Sequence, residues 1–312
     1  MKHIVALAGG VGAARFLDGL ARVVSPERLL VVGNTADDAD IHGLHVSPDL
    51  DTVMYTLAGL AHPEHGWGLR GDSFRCLEAL GRLGAETWFQ LGDVDLATHL
   101  FRTERLREGR TLAEVTAELA KAFGVRGRLV PMSNSPVRSM IETASGDLEF
   151  QTYFVRRHAR DRVLGVRWHG IEAARPAPGI LESIGKAEAI IVCPSNPFIS
   201  IGPILAIPGI REALRQNRSR VVAISPIVGG RALKGPAARM MKSMRLPVAA
   251  SEVAKLYCDF LGVFVLDNKD RKQSAEIERL GIRPVVTNTI MSGLRERKAL
   301  AKTVARELNV NS

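Results

Sequence analysis

Two hydrophobic periods divide the first sixty residues into alternating elements. Residues 3–8 form a continuous apolar run, which is typical of a strand buried on both faces. Residues 11–24 then place apolar side chains three and four positions apart, which predicts a helix, and residues 28–33 form a second apolar run. A further helix is expected over residues 52–60. This strand and helix order predicts a parallel sheet.

The pattern changes between residues 66 and 178, where helices precede several shorter strands. The helices predicted here cover residues 73–83, 96–107 and 112–123. The predicted strands cover residues 128–132, 139–143, 148–155 and 163–168, with a hairpin turn at Ser145-Gly146-Asp147. We therefore expect residues 66–178 to form an inserted α+β subdomain.

Regular alternation resumes after residue 179. The predicted strands cover residues 189–193, 220–225, 263–267 and 284–287, and the predicted helices cover residues 208–215, 236–244, 251–261, 274–280 and 295–308. The fold expected from the whole pattern is α/β, with a Rossmann-like parallel sheet flanked by helices. Residues 1–65 and 179–312 would form its nucleotide-binding core.

Composition narrows the class of protein. The 312 residues are 46% hydrophobic, enough for a sizeable core, and no run of about 18 apolar residues predicts a membrane span. The apolar start is too short for a secretory signal and leads straight into glycines. Three widely spaced cysteines, Cys76, Cys193 and Cys258, fit reduced thiols better than a disulfide framework. A cytoplasmic protein with no membrane partner is expected.

The charge balance is basic but does not predict a nucleic-acid-binding protein. Lys and Arg number 42 against 33 Asp and Glu, a formal net charge of +9. The basic residues are scattered, and no aromatic-rich binding motif accompanies them. The densest group, Arg156-Arg157-His158-Ala159-Arg160, is interpreted as a solvated face. A positive field that attracts a small polyanionic substrate is the next interpretation, ahead of nucleic acid.

Clustered carboxylates follow the second predicted strand. The strings Asn34-Thr35-Ala36-Asp37-Asp38 and Ser47-Pro48-Asp49-Leu50-Asp51-Thr52 place four carboxylates within fifteen residues. Loops at the carboxyl ends of strands carry the chemistry of open α/β proteins, so a magnesium site or a general base is expected here. We assign Asp38, Asp49 and Asp51 to magnesium, and Asp51 and Asp38 to catalysis. The alternative is that these residues only form turns and cap a helix.

Glycine-, proline- and serine-rich loops follow three predicted strands. Such loops bring backbone N–H groups close to phosphates, and the helix that follows favours negative charge. A tight turn that only packs a helix on a strand remains the alternative for the first loop. The residues assigned to nucleotide and phosphate binding are Gly10, Gly12, Arg15, Ser195, Asn196, Ser200, Gly229, Gly230 and Lys234.

These strings together resemble the 2-phospho-L-lactate transferase family of coenzyme F-420 biosynthesis. The resemblance runs over nearly the whole chain. It is carried by residues 9–15, 34–38, 47–53, 92–99, 131–133, 194–203, 225–236, 257–261 and 289–291. A related family of sugar-nucleotide-binding regulatory proteins shares the glycine-rich start. A non-catalytic nucleotide-binding regulator of the same fold is therefore the alternative function.

The resemblance implies a specific reaction. The terminal ribityl hydroxyl of the deazaflavin Fo would attack the phosphorus that carries an organic acid in a guanosine diphosphate-linked donor, and GMP would leave. It also implies a magnesium requirement and a homodimer, and it assigns Fo contacts to Asp51 and Gln90. Phosphoryl transfer needs positioning and charge neutralisation more than a covalent nucleophile, which agrees with the residues present.

Overall fold

A parallel β-sheet runs through the protein, and helices cover both of its faces. The computed structural model describes residues 3–310, so the outermost residues of the two predicted core segments (1, 2, 311 and 312) lie outside the described residues. Within that range the strands are β1 (Ile4–Ala8), β2 (Leu29–Gly33), β3 (Ala39–Ile41), β4 (Leu44–Val46), β5 (Arg128–Pro131), β6 (Arg138–Thr143), β7 (Gly146–Glu149), β8 (Val163–His169), β9 (Ala189–Val192), β10 (Val221–Ile224), β11 (Ile227–Val228), β12 (Arg231–Ala232), β13 (Val263–Asp267) and β14 (Arg283–Thr287). The helices are α1 (Gly10–Leu20), α2 (Pro48–Leu57), α3 (Arg75–Arg82), α4 (Asp95–Arg107), α5 (Leu112–Ala122), α6 (Ile180–Lys186), α7 (Ile201–Ala206), α8 (Ile210–Gln216), α9 (Ala237–Ser243), α10 (Ala250–Leu256), α11 (Ser274–Arg279) and α12 (Leu294–Glu307).

The order of the strands places the start of the chain in the middle of the sheet. Within residues 3–310 the central sheet has seven strands in the order β14-β13-β10-β9-β1-β2-β5. Each neighbouring pair is parallel. The chain adds β2 and β5 on one side of β1, then β9, β10, β13 and β14 on the other. This Rossmann-like arrangement confirms the predicted α/β fold.

The core lies on both faces of the sheet because β1 is buried on both. Ile4 and Ala6 pack into one apolar cluster, while Val5 and Leu7 pack into the other. Helices α1, α2, α5 and α12 supply the first cluster, and α6, α7, α8, α10 and α11 supply the second. Continuous apolar strands of this kind are expected where helices cover both faces.

Part of the range predicted to form a subdomain, residues 66–178, belongs to the central sheet and its core. β5 lies within that range but pairs with β2 at the edge of the central sheet, from Leu30 opposite Arg128 to Gly33 opposite Pro131. α5 also packs into the core of the sheet. Outside the sheet, this range forms α3, α4 and a small antiparallel sheet in the order β7-β6-β8. The sequence pattern identifies a strand at β5 but not its partner.

The strand predicted over residues 148–155 ends at Glu149, so the prediction is wrong for residues 150–155. A π-helix follows at Thr152–Arg156. Phe150 and Tyr153, three positions apart, both pack into a small apolar cluster with Met240. A helical turn brings such positions to one side, whereas a strand would point them to opposite faces.

Candidate functional site

A cleft of about 1020 Å³ opens at the carboxyl edge of the central sheet. It lies where the strand order reverses, because β2 and β9 flank β1 on opposite sides. Open α/β sheets bind their ligands at such a reversal. The residues assigned from the sequence that line the cleft are Gly10, Gly12, Arg15, Asp49, Asp51, Gln90, Ser195, Asn196, Ser200 and Lys234.

Three glycines shape the turn from β1 into α1. Gly10 has a φ of 70°, and a Cβ on Gly12 would collide with the carbonyl oxygen of Pro194 in the loop after β9. The Gly9 N–H donates to Ser195 Oγ at 3.3 Å, which joins the two loops. Gly9 at the N-cap has no side chain to cap α1, and the Gly10 N–H is hydrogen-bonded to the Asp49 carboxylate. The N–H groups that follow in the first turn still need an acceptor. N–H groups in this position are able to bind an anion.

The loop after β9 is shaped by Asn196. Its Oδ1 accepts from the backbone N–H of Phe198 at 2.9 Å, and its backbone carbonyl accepts from the N–H of Ser200 at 3.1 Å. Ser200 also lies against Gly9, since a Cβ built on that glycine would stand 2.6 Å from the Ser200 Cβ. Asn196 therefore fixes the loop that faces the glycine turn.

Two cations line the cleft beside this turn. Burial lowers the pKa of Arg15, and the charge of Arg297 lowers it further. Burial and the charge of Arg15 likewise lower the pKa of Lys234. The Lys234 Nζ donates to the carbonyl oxygens of Glu64 and His65 at 3.3 and 3.0 Å. Within residues 3–310 the Arg15 guanidinium forms no hydrogen bond or ion pair, which leaves it available to an anionic ligand.

Asp37, Asp38 and Asp49 are buried near one another below the glycine turn. Burial raises the pKa of Asp49 to about 7, even though Asn34 Nδ2 donates to its Oδ2 at 2.9 Å, and the charge of Asp38 adds to the rise. Burial also raises the pKa of Asp37 well above its usual range, and the charge of Asp49 contributes. In the described part of the chain, Oδ1 of Asp37 and Oδ1 of Asp38 have no hydrogen-bond partner. This arrangement suits a bound cation.

Asp38 itself does not line the cleft. Its Oδ2 accepts from Ser47 Oγ at 2.8 Å and lies 3.1 Å from His45 Nε2. Asp37, which the sequence analysis did not assign, lines the cleft instead. Asp38 therefore acts on the cleft only through its charge. The cleft-lining position that the sequence analysis expected for Asp38 is occupied by Asp37.

Asp51 belongs to a second buried network. Both of its oxygens accept from the Arg102 guanidinium, Oδ2 from Nη1 at 3.1 Å and Oδ1 from Nη2. Arg102 Nη1 also donates to His99 Nδ1 at 3.2 Å, while His99 Nε2 lies 3.3 Å from Asp95 Oδ2 without hydrogen-bond alignment. The Tyr55 hydroxyl donates to Asp95 Oδ1 at 2.6 Å. Burial raises the pKa of Asp51, although Arg102 opposes the rise.

The first turn of α2 separates Asp49 from Asp51. Because α2 begins at Pro48, these two residues occupy helical positions two apart and point in different directions. The three predicted ligands Asp38, Asp49 and Asp51 therefore do not form one group. Within residues 3–310, no set of three or more His, Cys, Asp or Glu side chains has the arrangement of a metal site. Magnesium usually takes only one or two carboxylates and completes its shell with water and substrate phosphates.

Gly229 and Gly230 lie outside the cleft lining. They form the turn between β11 and β12, with φ of 55° and 74°, and the Gly229 N–H donates to Asp270 Oδ2 at 2.9 Å. The Gly229 N–H, which was predicted to contact a phosphate, is therefore already bonded to Asp270. A Gly-Gly pair between two short strands is also the usual sequence of a hairpin turn.

Aromatic side chains missed by the sequence analysis line the walls of the cleft. They include Trp67, Trp88, Phe89, Phe150 and Phe154. Aromatic residues make up only 5% of the chain, yet two of its three tryptophans lie here. Trp88 and Phe89 directly precede Gln90 in the sequence, and this adjacency was an available signal for an apolar wall beside a polar contact.

The fold and the cleft define a Rossmann-like α/β protein with a ligand site at the strand reversal. The chain belongs to the 2-phospho-L-lactate transferase CofD family, whose sequence profile matches residues 4–304. A 2-phospho-L-lactate transferase from Methanosarcina acetivorans is 40% identical over 301 residues, covering 96% of this chain and 97% of that protein. A phosphoenolpyruvate transferase from Streptomyces griseus subsp. griseus is 41% identical over 306 residues, covering 96% of each.

The chain is therefore an enzyme of the transferase class, and the regulatory alternative is set aside. A UPF0052-family protein from Bacillus halodurans shares the fold, with a TM-score of 0.64 at 17% identity over 97% of this chain and 99% of that one. Among the described residues, no helix has the length and apolar character needed to span a membrane.

Proposed function

We propose that this enzyme moves a phospho-organic-acid group, 2-phospho-L-lactyl or a close analogue, from a guanosine diphosphate-linked donor to the ribityl hydroxyl of Fo. GMP is the leaving group, and the product is a precursor of coenzyme F-420. One observation carries the proposal. A single cleft is lined both by glycines and cations and by aromatic rings and the Asp51 carboxylate. These are the two environments that a diphosphate donor and a planar acceptor need.

The donor occupies the end of the cleft beside the glycine turn. The N–H groups that follow Gly10 in the first turn of α1 are offered to the diphosphate, and the glycines of the turn let the backbone approach it closely. Arg15 and Lys234 supply positive charge at the same end. Their lowered pKa values reflect burial and mutual repulsion, which a bound anion relieves.

The acceptor occupies the aromatic end. Trp88 and Phe89 offer apolar faces to a fused-ring system, and Gln90 and Asp51 offer polar contacts to its substituents. Asp51 and Gln90 are the two positions that the family resemblance assigns to Fo. Both line the same cleft as the donor residues, so the two substrates can meet within it.

Asp37 and Asp49 are the residues that would hold magnesium. Both are buried, both line the cleft, and oxygen is the ligand type that magnesium prefers. The unpartnered Oδ1 of Asp37 and the raised pKa of Asp49 indicate a site that lacks positive charge. Bound there, magnesium would neutralise charge on the donor phosphates.

Asp51 positions the attacking hydroxyl. Arg102 holds its carboxylate at two points, which fixes its direction and still leaves lone pairs that can accept from the hydroxyl. A free hydroxyl is a weak nucleophile, so a carboxylate within hydrogen-bond reach assists by accepting its proton. The burial that raises the pKa of Asp51 makes it a stronger base than an exposed Asp.

The organic acid of the donor is the open part of the proposal. Relatives of about equal identity include both 2-phospho-L-lactate and phosphoenolpyruvate transferases. These acids differ only by small groups. The residues described above are assigned to the diphosphate and to the acceptor ring, so they do not distinguish one acid from another. The donor class is therefore a guanosine diphosphate-linked three-carbon acid.

We also propose that the enzyme is a homodimer, as the family resemblance implies, and that it works in the cytoplasm, which fits its three free cysteines. Light scattering at micromolar concentration should give about twice the 33.9 kDa mass of one chain. A mass of one chain would contradict the dimer. The catalytic proposal has a separate test, in which GMP is measured after the protein is mixed with magnesium, Fo and donor. GMP should appear only when both substrates are present, and GMP formed without Fo would indicate a hydrolase instead.

A further inference from the structure

The basic string at residues 156–160 exposes its three arginines to solvent but contributes His158 to the cleft. Phe150, Phe154 and His158 all line the cleft from the segment that connects β7 to β8. The rings of Phe150 and Phe154 stack with centroids 5.3 Å apart and planes 9° apart. Phe154 remains 37% exposed, so this ring presents an open face to a ligand.

The backbone of this segment is unusual in two ways. It contains the π-helix Thr152–Arg156, a form that occurs mostly as single turns at functional sites. Directly after it, His158 and Ala159 have φ of 54° and 49°, in the left-handed region. Ala159 has no polar side chain to favour that conformation, so the surrounding structure must impose it.

Arg239 on α9 is the side chain that holds these two residues. Its Nη1 donates to the carbonyl oxygen of His158 at 3.0 Å and to that of Ala159 at 2.8 Å. The Ala159 N–H donates in turn to the Tyr153 carbonyl at 2.8 Å, and the buried Ala159 side chain packs in one cluster with Tyr153 and Met240. Arg239 itself does not line the cleft.

We propose that Arg239 is a positioning residue of the transferase. It holds His158 and Ala159 in their left-handed conformation, and thereby sets the wall formed by Phe150, Phe154 and His158 against which the planar ring of the acceptor lies. The inference rests on the proposed function, because the acceptor is the deazaflavin. It adds that acceptor affinity depends on a residue that touches neither substrate.

The test measures the binding of Fo and of GDP separately by calorimetry, with thermal unfolding recorded for each variant. Arg239→Met removes both hydrogen bonds and should weaken Fo binding about tenfold, the scale of one released strained residue, while GDP affinity stays near the wild-type value. In turnover assays KM for Fo should rise, with kcat at saturating Fo nearly unchanged. Lys242→Met, on the same helix and exposed, is the matched control and should leave both affinities unchanged.

A rescue separates positioning from general stability. Glycine adopts the left-handed region readily, so Ala159→Gly in the Arg239→Met background should recover part of the Fo affinity. Arg239→Gln is measured in parallel and should act in the same direction as Arg239→Met. Unchanged Fo affinity in both Arg239 variants, an equal loss of GDP affinity, or a failure of the rescue would overturn the inference. A wild-type protein that does not bind Fo would instead overturn the proposed acceptor and this inference with it.

Discussion

Asp51 and Arg102 form a buried ion pair between the first turn of α2 and the middle of α4. The guanidinium meets both carboxylate oxygens, and both side chains are almost fully buried. Asp51 nevertheless lines the cleft. The carboxylate assigned to the acceptor is therefore also a structural partner, and its removal affects folding as well as catalysis.

Asp51→Asn should lower turnover by roughly 10²-fold or more, because the proton acceptor for the hydroxyl is lost. It should also destabilise the protein by about 3–5 kcal/mol, since Arg102 is left buried without a counter-charge. GMP release at saturating substrate and urea unfolding measure the two effects. Asp40→Asn is the control, because this carboxylate is exposed. Near-normal turnover of folded Asp51→Asn would show that the carboxylate serves only the ion pair.

Arg15→Gln should weaken GDP binding by about tenfold, because a partly buried cation contributes more to anion affinity than an exposed one. Calorimetry in a series of salt concentrations should show a smaller salt dependence in the variant than in the wild type. Arg22→Gln is the matched control. Arg22 lies just after the end of α1, the helix that contains Arg15, and it is exposed and paired with Asp18. Equal GDP affinity for Arg15→Gln and Arg22→Gln would remove Arg15 from the donor site.

Gly12→Ala should both destabilise the protein and weaken GDP binding. The added methyl group collides with the Pro194 carbonyl, which is backbone and cannot turn aside, so a cost of about 1–3 kcal/mol is expected. Gly185→Ala gives the opposite control. That glycine lies in α6 with no atom within 4 Å of the new methyl, so it should stabilise by about 0.5–1 kcal/mol. Thermal unfolding and GDP calorimetry compare the two, and a Gly12→Ala protein as stable as wild type would contradict the close approach.

Asp259 should make stability depend on pH in the acid range. Partial burial acts to raise its pKa, but hydrogen bonds from Arg211 and Arg215 outweigh this and hold the pKa at about 2. A folded pKa below the unfolded value means that the contribution is complete above about pH 4 and is lost as pH falls through about 2. Arg211 and Arg215 are 38% and 49% exposed, and solvent screens their charge, so Asp259→Asn should cost at most about 1 kcal/mol at neutral pH.

Urea unfolding of wild type and Asp259→Asn at several pH values tests this pH dependence. The difference in unfolding free energy should shrink as pH falls from about 4 toward about 2. A difference that stays constant over that range would show that the loss comes from altered packing around Asp259 rather than from its charge.

The sequence predicts the sheet well and the carboxylate site less well, for a physical reason. A continuous apolar run indicates a strand that is buried on both faces. When such runs alternate with helices, a parallel sheet is the arrangement that buries them. Side-chain direction depends on where a helix begins. The prediction started α2 at residue 52, whereas it starts at Pro48, and that difference of four residues turns Asp49 and Asp51 to different sides.

Some missed residues had a signal in the sequence. Asp95, His99 and Arg102 are separated by four and by three positions, so they lie on one face of a helix. An acid, a histidine and an arginine on one face are able to form a polar network, and this was the available signal. The position of Asp37 at the cleft had no such signal. It depends on the turn before β3, and a run of two adjacent aspartates does not reveal which one faces the ligand.

The mass of the product shows whether the enzyme transfers a phospho-organic-acid group to the ribityl hydroxyl of Fo. Fo, or an Fo analogue that lacks the terminal ribityl hydroxyl, is incubated with the enzyme, magnesium and an equimolar mixture of candidate donors. The masses of the products are then measured by mass spectrometry. If the proposed transfer occurs, Fo gains one phospho-organic-acid group for each GMP released, and the analogue yields neither product. No mass gain on Fo with any donor, or an equal gain on the analogue, would contradict it.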